Sequence, residues 1–177
     1  KTTMLSILAG LAKQTSGEVE YYAYNDAQEH AILNPTFGMV FQEHRLLPWK
    51  TIRENIGLAL TAIGIREFEQ NDRINKCLEA LQILEYADTW PSAMSGGQRQ
   101  RASIARALSI RPNIIFMDEP FSALDELTAR VLRSELSKLW KETNATILFV
   151  THSIKEACFL ADRIFVFKSN PGQLYRT

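Results

Sequence analysis

The stretch IIFMDEP, residues 114–120, runs from four apolar residues straight into two carboxylates and a proline. A short run rich in Ile and Phe, with no polar residue alternating in it, predicts a strand buried on both faces. Three further stretches have the same form and also end in polar residues: TFGMVF (36–41, then Gln42), TILFV (146–150, then Thr151 and His152) and RIFVF (163–167, then Lys168). The sequence therefore predicts four buried strands.

Amphipathic patterns separate the three strands that come last in the chain, at 114–117, 146–150 and 163–167. Apolar residues recur at helical spacing over 126–142 and again over 154–161, where they are Ile154, Ala157, Cys158 and Ala161. The alternation of strands and helices predicts an α/β fold, with a mostly parallel sheet, right-handed crossovers and flanking helices. A further helix is expected over residues 1–12.

The chain between residues 43 and 110 has a different pattern. Helices are expected at about 51–62, 69–84 and 97–109, with no strand among them. This part of the chain is therefore predicted to be a helical insert.

Composition narrows the classes of function. The 177 residues are 46% hydrophobic and 23% charged, and 20 basic residues balance 20 acidic ones. This favours one ordinary domain, with room for a subdomain, and argues against a polybasic surface for nucleic acid. No apolar run has the length of a membrane span, and the N-terminus lacks the pattern of a secretory signal.

The polar residues after the strands are the first candidates for a site, because ligands of open α/β sheets bind beyond the carboxyl ends of the strands. We expect Gln42, Asp118, Glu119 and His152 to gather along one edge of the sheet. Taken singly, such acids are usually solvated and such a histidine is usually structural. Together they favour chemistry: Asp118 holds the water shell of Mg²⁺, Glu119 accepts a proton from an attacking water, and His152 donates to a γ-phosphate.

The stretch MSGGQRQRASIARAL, residues 94–108, begins with a predicted capping box in which Ser95 and Gln98 open a helix. A cap does not by itself explain Gly96 and Gly97, which are poor helix formers. They leave backbone N–H groups bare at the positive end of the helix, and this arrangement suits a phosphate. Asp125, in SALDELTARVL, has two alternatives: a cap for the next helix, or a position at an interface beside the nucleotide.

The ordered motifs VFQ, MSGGQRQR, FMDEP, SALD and VTHS resemble those of the ATP-binding subunit of ABC transporters over essentially the whole chain. The resemblance implies the ABC cassette of the P-loop NTPase class, with ATP and Mg²⁺ as cofactors. It also implies the role of each motif: Gln42 is the Q-loop glutamine, Ser95 to Gln98 the signature, Asp118 and Glu119 the Walker B acids, Asp125 the D-loop aspartate and His152 the switch histidine. Catalysis is then expected from Glu119, His152 and Gln42, and Gln42 is also expected to contact the metal.

The first residues, Lys1, Thr2 and Thr3, resemble the end of a Walker A motif. By this resemblance all three bind the nucleotide, Lys1 contacts the β- and γ-phosphates, and the Thr2 hydroxyl is offered to Mg²⁺. We expect the P-loop glycines, the strand before them and the aromatic residue that stacks on adenine to precede Lys1. A chain that starts at Lys1 is therefore expected to be impaired as an ATPase. The expected domains are a partial RecA-like core (1–42 and 111–177) and a helical subdomain carrying the signature (43–110).

The stretch LLPW, residues 46–49, followed by TIREN is similar to importers of the nitrate, sulfonate and taurine group. These apolar residues are expected to dock a membrane subunit, and the alternative is that they only pack the insert. The resemblance implies transmembrane permease subunits, a head-to-tail homodimer and, indirectly, a periplasmic or extracellular solute-binding protein, with no nucleic acid. The implied location is peripheral, at the cytoplasmic face of the inner membrane. The alternatives are a soluble ABC ATPase of the translation-factor or DNA-repair type and an inactive regulatory module.

Overall fold

The computed structural model describes residues 1–25, 28–31, 35–143, 145–168 and 172–176. The helices are α1 (Thr2–Leu8), α2 (Ile52–Ala62), α3 (Glu67–Ala80), α4 (Gly96–Ser109), α5 (Glu126–Glu142) and α6 (Ile154–Leu160). The strands are β1 (Tyr22–Asn25), β2 (Gln28–Ala31), β3 (Phe37–Val40), β4 (Ile114–Asp118), β5 (Thr146–Val150), β6 (Val166–Lys168) and β7 (Gln173–Arg176). Two short 3₁₀ helices lie at Leu84–Tyr86 and Pro91–Ala93.

The central feature is a parallel sheet in the order β3-β4-β5. Val40 is level with Met117 on the neighbouring strand, and Asp118 is level with Val150. The predicted α/β class with a mostly parallel sheet flanked by helices is confirmed.

The middle strand, β4, is buried on both faces because helices cover it from both sides. Phe116 packs in a cluster with Leu5 of α1 and Val150 of β5. Ile115 and Met117 point the other way, into the larger core with α4 and α5. This alternation follows from the two-residue period of a strand, and it also places Asp118 on the same face as Phe116, towards α1.

Two of the strand predictions need correction. Strand β5 exists, but Thr146 is exposed and only Val150 is buried, since β5 lies at the edge of the described sheet. The stretch 163–167 is not a buried parallel strand: β6 starts at Val166, and it pairs antiparallel with β7. Residues 163–166 stay exposed, Val166 to 47%, and Phe167 is half-buried, because no described helix covers the β6–β7 hairpin. The hairpin of β1 and β2 was not predicted from the sequence.

The helix predictions hold for the insert and for α5. Residues 43–110 contain α2, α3 and α4 and no strand, and α5 has the predicted bounds. Helix α1 is shorter than the predicted 1–12. On α6 the predicted apolar face is wrong: Ile154 is 81% exposed and Cys158 is exposed too. None of the helices in the described residues combines the length and apolar character that a bilayer span requires.

Candidate active site

The parallel sheet brings the predicted polar residues to one edge. The register places the carboxyl ends of β3, β4 and β5 side by side, so that the backbone of Gln42, Asp118, Glu119 and His152 leaves the sheet at the same end. Gln42 itself is exposed. It makes no hydrogen bond to the other three within the described residues.

The N-terminal residues meet this edge through α1. The Thr2 hydroxyl donates a hydrogen bond to Asp118 Oδ1 over 3.2 Å, and the Lys1 ammonium donates to the carbonyl oxygen of Thr151 over 2.9 Å. Leu5, one turn along α1, anchors the helix against Phe116. The sheet edge therefore carries a hydroxyl and an ammonium group from the start of the chain beside a carboxylate from the end of β4.

The Thr2–Asp118 pair suits a hard cation such as Mg²⁺. The Asp118 residue is 4% exposed. Among the described residues no group of three or more His, Cys, Asp or Glu side chains could hold a metal ion alone. A cation bound between these two oxygens would thus take its remaining ligands from water and phosphate, as Mg²⁺ commonly does in phosphoryl-transfer sites. The residues present fit the expected metal.

Glu119 lies beside His152. Glu119 Oε2 is 3.2 Å from His152 Nδ1, and the histidine side chain is 71% exposed against 26% for the glutamate. Glu119 has a φ of +46°, which is strained for a residue with a Cβ. Its N–H donates to the Val150 carbonyl, and its own carbonyl accepts from the N–H and the hydroxyl of Ser122. Strained residues of this kind cluster at functional sites, where the surrounding structure holds them in place.

The capping box predicted for α4 is present. Ser95 Oγ accepts from Gln98 N–H, and Gln98 Oε1 accepts from Ser95 N–H over 2.7 Å. The first backbone N–H groups of a helix have no carbonyl acceptor within that helix. The N–H groups of Gly96 and Gly97 therefore point out of the N-terminus of α4.

The structure adds a second reason for glycine at position 97. A Cβ there would lie 3.1 Å from Cγ2 of Thr128, closer than most carbon contacts. At Gly96 the nearest atom would be the Ala123 carbonyl oxygen, at 3.9 Å. The start of α4 therefore packs closely against the start of α5, a contact that no local pattern predicts.

Asp125 acts as the cap of α5. Its Oδ1 accepts a hydrogen bond from Thr128 N–H over 3.0 Å. That hydrogen bond is the main reason why the pKa of the Asp125 carboxyl is lowered. The capping alternative is thus observed, and the interface role stays a prediction.

The predicted residues fall into separate groups. Lys1, Thr2 and Asp118 meet at the sheet edge beside the Glu119–His152 pair, while the side chain of Thr3 is exposed. Within the described residues no hydrogen bond or ion pair joins Ser95–Gln98 to any of these. Two buried charged residues near this edge, Arg133 and Glu156, were not predicted from the sequence. The sequence gives little indication that these two residues are buried together, because each is a single polar residue within a helical pattern.

The segment after Gln42 is anchored by Asn55, whose side chain accepts from Leu47 N–H over 2.7 Å and donates to the Leu47 carbonyl oxygen. Leu46 packs partly against the core, whereas Trp49 is 71% exposed. Packing of the insert therefore explains Leu46 and does not explain Trp49.

Residues 1–122 match the family model described as ABC transporter. The chain belongs to this family. It is 42% identical over 174 residues to the nitrate import ATP-binding protein NrtD of Synechococcus elongatus, covering 97% of this chain and 62% of the relative. It is 36% identical over 176 residues to the aliphatic sulfonates import ATP-binding protein SsuB of Bacillus cereus, with 99% and 67% covered.

The ABC chain also resembles solved cassettes. A dimeric structure of MJ0796, a bacterial ABC transporter cassette, matches with a TM-score of 0.72 at 34% identity, over 89% of this chain and 72% of the other. A dimeric post-hydrolysis state of the same cassette, bound to ADP and Pi, matches with a TM-score of 0.69. An uncharacterized ABC transporter ATP-binding protein of Methanocaldococcus jannaschii is 39% identical over 174 residues. The chain spans 62–64% of the length of this archaeal relative and of the Synechococcus protein.

Proposed function

We propose that this chain is the ATP-hydrolysing subunit of an ABC importer for nitrate, a sulfonate, taurine or a similar small solute. The observation that carries the proposal is the Glu119–His152 pair, 3.2 Å apart, at the sheet edge where Thr2 meets Asp118. The relatives named for nitrate and sulfonate import support the class of solute. The comparisons give no support to the alternative of a soluble ABC ATPase.

The residues at the sheet edge have distinct proposed roles. Thr2, Gln42 and Asp118 would hold Mg²⁺, and the bound ion would supply positive charge to offset the negative charge of the transferring phosphoryl group. Lys1 and Thr3 bind the phosphates. The Lys1 ammonium is already held at this edge by the Thr151 carbonyl, so it needs little rearrangement to meet an anion there.

Glu119 is the proposed general base. Its carboxylate stands just beyond the end of β4, on a backbone held by Val150 and Ser122, and it is partly exposed so that a water molecule can reach it. His152 orients this carboxylate and donates to the γ-phosphate. Gln42 completes the set of groups around the attacking water.

The second half of the site is proposed to come from a partner chain in a head-to-tail homodimer. Gly96 and Gly97 present free helix amides that suit a phosphate, and the capping pair of Ser95 and Gln98 flanks them. Within the described part of one chain, none of these four residues makes a hydrogen bond or ion pair with Glu119 or His152. Asp125 would face the same interface. The dimeric cassettes that this chain resembles support such an assembly.

The membrane partner is proposed to be a permease that docks on the segment containing Leu47 and Trp49, because the exposed indole of Trp49 is a typical interface anchor. Residues 43–110 would then be the helical subdomain that carries motion from a core made of 1–42 and 111–177. The subunit would lie peripherally at the cytoplasmic face of the inner membrane, and a solute-binding protein would act through the permease.

The test is Mg²⁺-dependent phosphate release from ATP by the purified full-length protein and by its Glu119→Gln variant. We expect the variant to hydrolyse ATP about 100- to 10,000-fold more slowly, the usual effect of losing a general base, while ATP binding survives because the amide keeps the shape of the side chain. Glu79→Gln removes an exposed carboxylate on α3 and should leave the rate unchanged.

Two results would count against the proposal. Parent-level turnover by Glu119→Gln would show that another group is the base. A protein that binds ATP without any Mg²⁺-dependent hydrolysis would overturn the ATPase assignment itself.

A further inference from the structure

Two oppositely charged side chains are buried behind the sheet edge, in contact with each other. Arg133 of α5 is 8% exposed and Glu156 of α6 is 9% exposed. Arg133 Nη1 lies 3.4 Å from Glu156 Oε1, and Arg133 Nη2 lies 2.9 Å from Glu126 Oε1. Burial of charges is costly even when they are paired, so a buried pair is weak evidence for stability alone.

The second oxygen of Glu156 reaches the turn that carries His152. The Thr151 hydroxyl donates to Glu156 Oε2, and the same hydroxyl accepts from Ser153 N–H over 3.0 Å. Ser153 Oγ in turn accepts from Glu156 N–H over 3.3 Å. The residue before His152 is therefore tied to the first turn of α6 through the Glu156 carboxylate, and the residue after it is tied through the helix cap and the Thr151 hydroxyl.

His152 has little else to hold it. In the described part of the chain its only hydrogen-bond or ion-pair partner is Glu119, and 71% of its side chain is exposed. Packing does not fix the imidazole, so its distance from Glu119 depends on the backbone of residues 151–153. The Thr151 carbonyl, which accepts from Lys1, belongs to the same turn.

We propose that Glu156, held from behind by Arg133, is a positioning residue that sets the turn carrying His152 and so keeps the imidazole beside Glu119. Glu156 lines the same cleft as His152 and Glu119 but makes no hydrogen bond to either of them, so it acts through Thr151. The inference about catalysis rests on the proposed function. The inference about the position of His152 does not.

A merely structural role for Glu156, joining α5 to α6, makes different predictions. Breaking the pair would then lower stability without changing the surroundings of the imidazole. The pair formed by Arg101 and Glu135 offers a matched control, because its side chains are 13% and 14% exposed and Glu135 lies on α5 as well.

The experiment compares Glu156→Gln, Thr151→Val and Thr151→Ser with Glu135→Gln. The first readout is the NMR spectrum of the histidine imidazoles, with the His152 signals assigned by their loss in His152→Ala. We expect these signals to move towards those of a free, solvated histidine in Glu156→Gln and Thr151→Val. They should stay near the parent position in Thr151→Ser, which keeps the hydroxyl, and in Glu135→Gln.

The second readout is the steady-state kinetics of ATP hydrolysis. We expect kcat to fall by about 10- to 100-fold in Glu156→Gln and Thr151→Val, with KM nearly unchanged, since a small misplacement of a catalytic group has effects of this size. In a His152→Ala background, Glu156→Gln should cause no further loss, because the two residues act as a unit.

Unchanged His152 signals in both Glu156→Gln and Thr151→Val would overturn the proposal, as would an equal shift in Glu135→Gln. Fully multiplicative losses with His152→Ala would also overturn it. Thr151→Val leaves the buried ion pair in place, so it tests the turn even if Glu156→Gln fails to fold. If the protein hydrolyses no ATP, the proposed function fails while the NMR comparison still decides the role of Glu156.

Discussion

Replacement of Gly38 by alanine should weaken the packing of α4 against the sheet. Gly38 lies in β3, and a Cβ at this position would stand 2.8 Å from the Ala107 carbonyl oxygen and 3.1 Å from Cγ of Pro112. Ordinary contacts between carbon atoms are about 3.5–4.0 Å. Neither the backbone oxygen nor the proline ring can rotate away, so α4 or the loop after it must shift by several tenths of an ångström.

The expected cost follows from this geometry. Overpacking of a well-packed core destabilises a protein by about 1–3 kcal/mol. Alanine also lowers the entropy of the unfolded chain, and this stabilises the folded state by about 0.4–1 kcal/mol. The free energy of unfolding should therefore fall by about 1–2 kcal/mol. For a protein of this size such a change lowers the melting temperature by about 2–8 °C.

Urea and thermal unfolding, followed by circular dichroism, measure this difference. Gly96→Ala is the matched control, because its Cβ would come no closer than 3.9 Å to the Ala123 carbonyl oxygen. That variant should be at least as stable as the parent, since alanine is the better helix former. If Gly38→Ala proved as stable as Gly96→Ala, the close packing of α4 on β3 would be wrong.

Two further predictions concern the surface of the helical segment. Trp49→Ala should weaken co-purification with the permease without lowering the melting temperature, because the Trp49 side chain is 71% exposed. The control is Trp90→Ala, at a position that is 57% exposed, and it should change neither co-purification nor the melting temperature. A large drop in melting temperature for Trp49→Ala would instead favour a packing role. The pKa of Asp88 is lowered from 3.8, chiefly by its hydrogen bond from Arg53, so its contribution to stability is present above that pKa and is lost as the pH falls through the lower value of the folded state. Asp88→Asn should thus unfold at a lower urea concentration than the parent at about pH 7, and this difference should narrow as the pH falls below 3.8. A difference that does not change with pH would contradict the assignment.

The features that the sequence determined by itself act over a few residues. The helical period sufficed for the bounds of α5, and the Ser95–Gln98 capping box was correctly predicted because cap and amide lie three positions apart. The position of Asp118 and Glu119 at one edge of the sheet was predicted from one general rule: parallel strands present their carboxyl ends together. These signals need no knowledge of what packs against what.

Only the tertiary structure decided which residues meet. Burial of the stretch 163–167 failed as a prediction because burial depends on covering elements, and the hairpin of β6 and β7 has none in the described residues. The Thr2–Asp118 contact joins residues 116 positions apart, and the Arg133–Glu156 pair joins two helices 23 positions apart. Such contacts, like the close approaches at Gly38 and Gly97, depend on the distance between folded elements, a quantity that no local pattern contains.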